Sequence, residues 1–136
     1  MSKRQFAQQL PRSPQAPGIA RRSVVGWFGR SLDNLELDTA RLLTSELVAN
    51  AVVHGQGAIT LRGHLDSDRV LVEVVDEGNG FAREVRQHEF GDLHGRGLAI
   101  VDAEASRWGI HEGTTHVWFE LERAGPRVGS EAKPAP

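Results

Sequence analysis

The feature that most constrains the fold is an apolar stretch at residues 42–55. Apolar side chains there face nearly every direction of a helical wheel: Leu42, Leu43, Leu47, Val48, Ala51, Val52 and Val53. Such a wheel is typical of a helix with little solvent-facing surface. The pattern therefore predicts a mostly buried helix that ends at Gly55, since glycine is common just past a helix terminus.

Three polar residues interrupt this stretch at positions four apart: Glu46, Asn50 and His54. On a helix they share one face. A carboxylate on a mostly buried helix needs a partner or a chemical task. Taken alone, the stripe fits a surface row of salt bridges, or a core asparagine satisfied by backbone groups, as well as it fits a functional role.

Composition narrows the function classes. A chain of 136 residues is about one domain long, and its formal net charge of -2 gives no electrostatic case for binding nucleic acid or an anionic membrane. It has no cysteine, which excludes disulfides and thiolate metal sites and suits a reducing cytosol. No apolar run approaches the ~20 residues of a membrane span, and the N-terminus lacks a signal-peptide core. We expect a soluble, cytoplasmic single domain.

The N-terminal third predicts two helices after a loosely structured start. Residues 1–18 should be partly flexible, with a short edge strand at residues 5–10 before prolines and Gly18 interrupt regular structure. Apolar residues at helical spacing then predict a first helix over residues 19–32, ended by Asp33 and Asn34: Ile19, Val24, Trp27, Phe28 and Leu32. Asp38 is the expected N-cap of the second helix.

Alternating apolar and polar residues predict the strands. Residues 59–65 and 70–75 form an antiparallel hairpin around a turn at residues 66–68. A helix over residues 98–105 is followed by two more strands, marked by Trp108 and Ile110 and by Val117, Phe119 and Leu121, with a turn at Glu112, Gly113 and Thr114. Because each strand has one apolar face, we expect an α+β fold. It should be a two-layer sandwich, with a mixed, mostly antiparallel sheet and all helices on one face.

The folded domain should therefore run over residues 19–122. Residues 123–136 are rich in proline, glycine, alanine and charged residues and predict a disordered tail.

Two glycine-rich segments have the chemistry of a nucleotide site. Asp76 follows a valine-rich strand and can accept a hydrogen bond from an exocyclic amine, while Gly78 and Gly80 let the backbone approach a flat ring. Gly95-Arg96-Gly97 precedes a helix at Leu98, where free amides favour phosphate. The carbonyl oxygen of Asn50 suits Mg²⁺. A P-loop is absent, and each segment alone fits a bulged hairpin end or a tight loop equally well.

Together, three motifs resemble the ATP boxes of the GHKL (histidine-kinase-like) ATPases. They are Glu46-x-x-x-Asn50-Ala51-x-x-His54, Asp76-x-Gly78-x-Gly80-Phe81 and Gly95-Arg96-Gly97-Leu98. Within this family the chain is similar to the small stand-alone anti-sigma factor serine/threonine kinases of bacterial partner-switching systems. The resemblance covers residues 19–122 and implies the Bergerat ATP-binding fold.

The resemblance also implies a role for each motif residue. Glu46 would be the catalytic base, Asn50 would hold Mg²⁺, and Asp76 would bind the adenine amino group. The remaining positions expected to contact ATP are Gly78, Gly80, Gly95, Arg96, Gly97, Leu98 and Thr115. Thr115 stands for a threonine that contacts the adenine pocket in the family, although the strict match falls on His116. Residues 82–94 would form a lid over ATP, short by the family's standard, with Arg83 and Arg86 as its basic residues.

The expected function is an ATP-binding regulator of the anti-sigma type that phosphorylates a serine of an antagonist protein. The expected partners are that antagonist, a sigma factor and, as a possible assembly, a second copy of the chain. Arg21 and Arg22 are expected on the partner surface, against the alternative of a solvated helix face. Two other functions stay open: an ATP-dependent binding module without kinase activity, and a catalytic fragment of a histidine kinase. The chain shows no dimerisation helix pair or substrate histidine box, which disfavours the fragment.

Overall fold

The computed structural model describes residues 3–78, 98–111 and 116–124. Three helices and five strands lie in these ranges. In chain order they are β1 (Arg4–Leu10), α1 (Ala16–Phe28), α2 (Asn34–His54), β2 (Ile59–Leu65), β3 (Arg69–Val75), α3 (Ala99–Glu104), β4 (Arg107–Ile110) and β5 (Val117–Glu122).

The five strands form one open sheet in the order β1-β2-β3-β5-β4, and every neighbouring pair is antiparallel. The predicted hairpin is confirmed, since β2 pairs with β3 from Thr60 opposite Val75 to Leu65 opposite Val70. The predicted edge strand is also confirmed. β1 lies before residue 19, the expected start of the domain, yet pairs with β2 along its whole length.

One face of the sheet is buried against the helices. Its residues alternate along the strands as predicted: Ile59, Leu61, Leu65, Val70, Val72, Val74, Val117, Phe119 and Leu121. Helix α1 packs on β1 and β2, and helix α2 packs on β3 and β5. The side chains between these positions are half-buried or exposed and belong to the opposite face. The α+β two-layer architecture is therefore confirmed.

Helix α1 begins and ends earlier than predicted. It starts at Ala16 with Pro17 in its first turn, where proline's fixed φ and missing N–H are tolerated. It ends at Phe28, and Leu32 lies in the following turn. Its rings approach β2 closely at Gly63, where an added Cβ would lie 2.8 Å from both Phe28 and Trp27. Gly63 therefore allows the helix to pack tightly against the sheet.

The predicted N-cap of α2 is wrong. Asp33 caps the helix instead: its side chain accepts from the Glu36 backbone N–H at 2.7 Å, and Glu36 Oε1 accepts from the Asp33 N–H at 2.9 Å. This reciprocal pair is a capping box and satisfies two otherwise orphaned amides. Asp38 lies one turn further along the helix, where it is exposed and pairs with Arg41 at 3.5 Å.

Helix α2 is also less buried than predicted. Leu43, Leu47 and Val48 are in the core, but Val53 is 71% exposed and Leu42 is 42% exposed. A single sheet can cover only one side of a helix, and α1 covers a second side, so the remaining side stays open. Among the described residues, no helix combines the length and apolar character needed to cross a bilayer.

Arg123, the first residue of the expected tail, contacts the folded domain. Its guanidinium donates to the backbone oxygens of Asp66 and Ser31. The Ala124 N–H donates to Glu36 Oε2 at 2.9 Å. Residues 125–136 lie outside the described residues.

Candidate functional site

Helix α2 places the two polar residues of the first motif one turn apart. Asn50 is only 5% exposed, while Glu46 is half-buried. His54, the last residue of the helix, is exposed. The predicted stripe thus runs from a half-buried glutamate through a buried asparagine to the surface, which rules out a uniformly solvated row.

Asn50 opens into a small cleft between α2 and the sheet. The lining residues come from α2, the loop after it and the ends of β3 and β5: Leu47, Asn50, Ala51, Gly55, Val74, Asp76 and Val117. The structure therefore brings Asn50 and Asp76 to the same cleft, although they are separated by a hairpin in sequence.

The side-chain oxygen of Asn50 is a buried acceptor without a hydrogen-bond partner in the described parts of the chain. A buried polar atom of this kind costs about 1–3 kcal/mol unless something satisfies it. This result also excludes the core asparagine satisfied by backbone groups, as far as the described residues go. A carboxamide oxygen is a hard ligand that fits Mg²⁺ or a water bound to it.

Asp76 directly follows β3, and its side chain is 1% exposed. Its Oδ1 accepts from the Gly78 N–H at 2.8 Å, which forms a turn at the strand end. The adjoining Glu77 N–H donates to the Gln56 oxygen at 2.8 Å and so joins the loop after α2 to the loop after β3. The carboxylate is therefore held at the edge of the cleft by two neighbouring loops.

Arg12 is a site-supporting residue that the sequence reasoning missed. Its Nη1 donates to the Ala51 oxygen at 2.6 Å and to the Val52 oxygen at 3.1 Å, and its Nε donates to the Gly57 oxygen at 3.0 Å. Its Nη2 lies 3.9 Å from Asp76 Oδ2. A cation that binds the last carbonyls of a helix also complements the helix dipole. No local sequence pattern around Arg12 predicts these contacts, because every partner is distant in the sequence.

Glu46 has neither a hydrogen bond nor an ion pair with any residue in the described ranges. Its neighbour Ser45 accepts from Arg21 Nη1 at 2.7 Å, which links α1 to α2 beside the glutamate. The carboxylate is therefore half-buried and available to a ligand or substrate.

Leu98 is completely buried and precedes α3. Its side chain packs in the core, so any contact with a ligand would come from its backbone. The other predicted contacts are outside the described residues: Gly80, Gly95, Arg96, Gly97, Thr115 and the lid at residues 82–94.

His116, the strict match to the family's threonine, lies away from the cleft. Val117 lines the cleft, whereas the His116 ring forms a hydrogen bond with Glu73 Oε2 at 2.9 Å. The pKa of His116 is lowered, chiefly because the ring is buried, and the charges of His111 and Arg62 lower it further. The charge and the hydrogen bond of Glu73 act to raise it but are outweighed.

The pKa of Glu73 is lowered. Burial acts to raise its pKa, but the hydrogen bond from His64 and the charges of His116 and His64 outweigh it and lower the pKa.

A family model and curated relatives match this chain in sequence. The model of the family described as histidine kinase-, DNA gyrase B-, and HSP90-like ATPase matches residues 36–132. A Serine-protein kinase RsbW of Listeria innocua is 32% identical over 89 residues, which cover 61% of this chain and 57% of the relative. An Anti-sigma F factor of Thermoanaerobacter sp. is 34% identical over 65 residues, which cover 43% of this chain and 46% of the relative.

The chain thus spans about half the length of the curated relatives it matches. The family model covers most of the chain, and Asn50 of the first motif and Asp76 of the second line one cleft. The chain belongs to the histidine kinase-, DNA gyrase B-, and HSP90-like ATPase family.

Proposed function

We propose that this protein binds ATP with Mg²⁺ in the cleft and transfers the γ-phosphate to a serine of an antagonist protein, as part of an anti-sigma system. The observation that carries the proposal is the buried oxygen of Asn50, which has no partner among the described residues and lies in the same cleft as Asp76. The names of two relatives, a serine-protein kinase and an anti-sigma factor, support the acceptor and the partner class.

Each cleft residue has a task in this proposal. Asn50 would give its oxygen to Mg²⁺, and Asp76 would accept from the adenine amino group. Gly78 and Gly80 would let the backbone approach the adenine ring, and Thr115 would contact that ring. Backbone amides would hold the phosphates at Gly95, Arg96, Gly97 and Leu98. The bound metal supplies charge neutralisation on the phosphate oxygens.

Glu46 is the proposed base, since its carboxylate is half-buried, unpartnered among the described residues and one helical turn from Asn50. It would take the proton of the serine hydroxyl while the serine oxygen bonds to the γ-phosphorus. The bond from that phosphorus to ADP would break, and ADP would leave. A positioned base of this kind typically speeds transfer by ~10²–10⁴.

The test combines the purified protein with radiolabelled ATP, Mg²⁺ and candidate substrates encoded beside its gene. Glu46→Gln keeps the side chain's size but removes its basicity, so we expect near-normal ATP affinity and transfer slowed by at least ~10²-fold. Asn50→Ala should instead weaken Mg-ATP binding itself. Glu122→Gln, at an exposed position on β5, is the matched control and should behave as wild type.

The outcomes separate the candidate functions. Wild-type protein that binds a partner only with ATP but transfers no phosphate would be a binding module. Phosphate on a histidine of the substrate would favour the histidine-kinase alternative. Full activity of Glu46→Gln would leave a kinase whose base lies elsewhere.

A further inference from the structure

The face of the sheet opposite the helices holds a second group of potential ligands, centred on Glu73. This glutamate lies on the central strand β3, opposite Arg62 of β2 and Trp118 of β5. Its Oε1 is 2.8 Å from His64 Nε2, and its Oε2 is 2.9 Å from His116 Nε2. The Glu73 side chain is only 13% exposed. Two imidazoles therefore share one largely buried carboxylate.

A third histidine, at the end of β4, lies beside this group. The ring of His111, the residue after β4, stacks on the ring of His116 with centroids 4.1 Å apart and planes inclined by 30°. The His111 N–H also donates to the His116 oxygen at 2.9 Å, so the two residues are held across the base of the β4–β5 connection. One ligand atom from each of Glu73, His111 and His116 lies within 4.8 Å of the other two.

We infer that Glu73, His111 and His116 form a binding site for a divalent transition-metal ion, of which Zn²⁺ fits best. Two imidazole nitrogens and one carboxylate oxygen are a common set of protein ligands for zinc, with water in the remaining position. Metal–ligand bonds of ~2.0–2.2 Å place tetrahedral ligand atoms about 3.3 Å apart. The three groups must therefore move together by no more than about 1.5 Å. His111 is the exposed member of the three.

The neighbours of the site act in opposite directions. His64 binds the other oxygen of Glu73 and so orients the carboxylate, as outer partners of metal ligands do. Arg62 Nη1 lies 3.9 Å from Glu73 Oε1 and opposes a second cation there, although its side chain is 47% exposed and free to turn toward solvent. Loss of His64 should therefore weaken metal binding, and loss of the Arg62 charge should strengthen it.

This site is separate from the proposed ATP cleft. Val74 and Val117 line the cleft, and the residues before them, Glu73 and His116, point to the other face of the same strands. The two sites also differ in chemistry, since the amide oxygen of Asn50 suits Mg²⁺ whereas imidazole suits zinc, cobalt or nickel. The inference does not depend on kinase activity.

The test measures uptake of zinc chloride by untagged, chelator-treated full-length protein in equilibrium dialysis, with magnesium chloride as the contrasting ion. We expect one zinc per chain and no competition from Mg²⁺. His111→Ala, at the exposed ligand, should lower zinc affinity by more than the ~10–100-fold typical of an outer partner, and His64→Asn by an amount within that range. His54→Ala, an exposed histidine at the end of α2, is the control and should leave uptake unchanged.

Glu73→Gln and His116→Ala should each abolish zinc uptake. Two further measurements keep the inference falsifiable if either variant folds poorly. Co²⁺ in place of zinc should give the visible absorption of a low-coordinate site in wild type and not in His111→Ala. Arg62→Gln should raise zinc affinity. Wild-type protein that binds no zinc would overturn the inference, and so would zinc uptake that persists unchanged in His111→Ala.

Discussion

Gly55 lies directly against the carboxylate of Asp76. A Cβ added at Gly55 would be 1.7 Å from Asp76 Oδ2 and 2.7 Å from the Ala51 oxygen, well inside contact distance. The backbone of Gly55 is extended, with φ of -89° and ψ of -169°, so any residue could adopt its conformation. Glycine is therefore required here because Asp76 and the last turn of α2 leave no room for a Cβ, and not because of the backbone conformation at the helix end.

This contact predicts that Gly55→Ala moves Asp76. The methyl group must displace either the buried carboxylate or the end of α2, and such overpacking typically costs ~1–3 kcal/mol of stability. We expect ATP affinity to fall about tenfold or more, which corresponds to ~1.4 kcal/mol. Isothermal titration calorimetry measures the affinity, and urea unfolding measures the stability.

Gly26→Ala is the matched control for this substitution. Gly26 lies within α1 and has nothing within 4 Å of an added Cβ. Alanine should stabilise the helix by up to ~1 kcal/mol and leave ATP affinity unchanged. Equal ATP affinity of Gly55→Ala and Gly26→Ala would contradict the assigned role of the Gly55–Asp76 contact.

Asp76 should determine which base is bound. If its carboxylate accepts from the adenine amino group, Asp76→Ala leaves that donor unpaired at a cost of ~1–3 kcal/mol, or about ten- to hundredfold in affinity. The preference for ATP over GTP should shrink with it. Calorimetry with both nucleotides tests this, and Asp68→Ala, at an exposed turn residue, is the control. Unchanged ATP affinity in Asp76→Ala would remove Asp76 from the site.

Arg12 should stabilise both the end of α2 and the cleft. Arg12→Met removes its hydrogen bonds to the Ala51, Val52 and Gly57 oxygens, and we expect a loss of ~1–3 kcal/mol in the free energy of unfolding. Arg12→Lys keeps the positive charge near the helix terminus but cannot donate to all three oxygens at once. Its loss of unfolding free energy should therefore be smaller than that of Arg12→Met.

Urea unfolding curves measure these two losses. Arg30→Met, at an exposed position after α1, should change stability by no more than ~0.5 kcal/mol. If Arg12→Met were as stable as Arg30→Met, the bonds of Arg12 would contribute nothing to folding.

The partner surface is expected at the groove between α1 and α2. Arg22 is exposed and lines this groove with Val25 and Arg41, whereas Arg21 is engaged with Ser45. Charge reversal by Arg22→Glu should therefore weaken capture of the antagonist or sigma partner without changing the packing of α1 on α2. Pull-down assays with purified partners test this, with Arg30→Glu as the control. If both variants captured the partner equally well, Arg22 would be a solvent-exposed residue with no role in partner binding.

Much of the fold was predictable because the determining signals are local. The four-residue spacing of Glu46 and Asn50 and the alternation along residues 59–65 and 70–75 place side chains on faces wherever the elements pack. The errors were also local in origin. The capping box of Asp33 and Glu36 is visible in the sequence, but assigning Asp33 and Asn34 to the end of α1 leaves Asp38 as the next candidate N-cap. The exposure of Leu42 and Val53 on α2 was not predicted. A helical wheel shows which side chains share a side of the helix, but it does not show which sides pack against other elements.

The sequence alone therefore determined the elements, their faces and the residues suited to nucleotide chemistry. The tertiary structure alone decided which of those residues meet. Asn50 and Asp76 share a cleft only because α2 packs on β3 and β5. Arg12 reaches the end of α2 because the segment between β1 and α1 passes beside it. His116 contacts Glu73, and not the cleft, because the β3–β5 register sets Val74 opposite Val117. Each relation joins residues distant in the chain, and no local pattern encodes such distances.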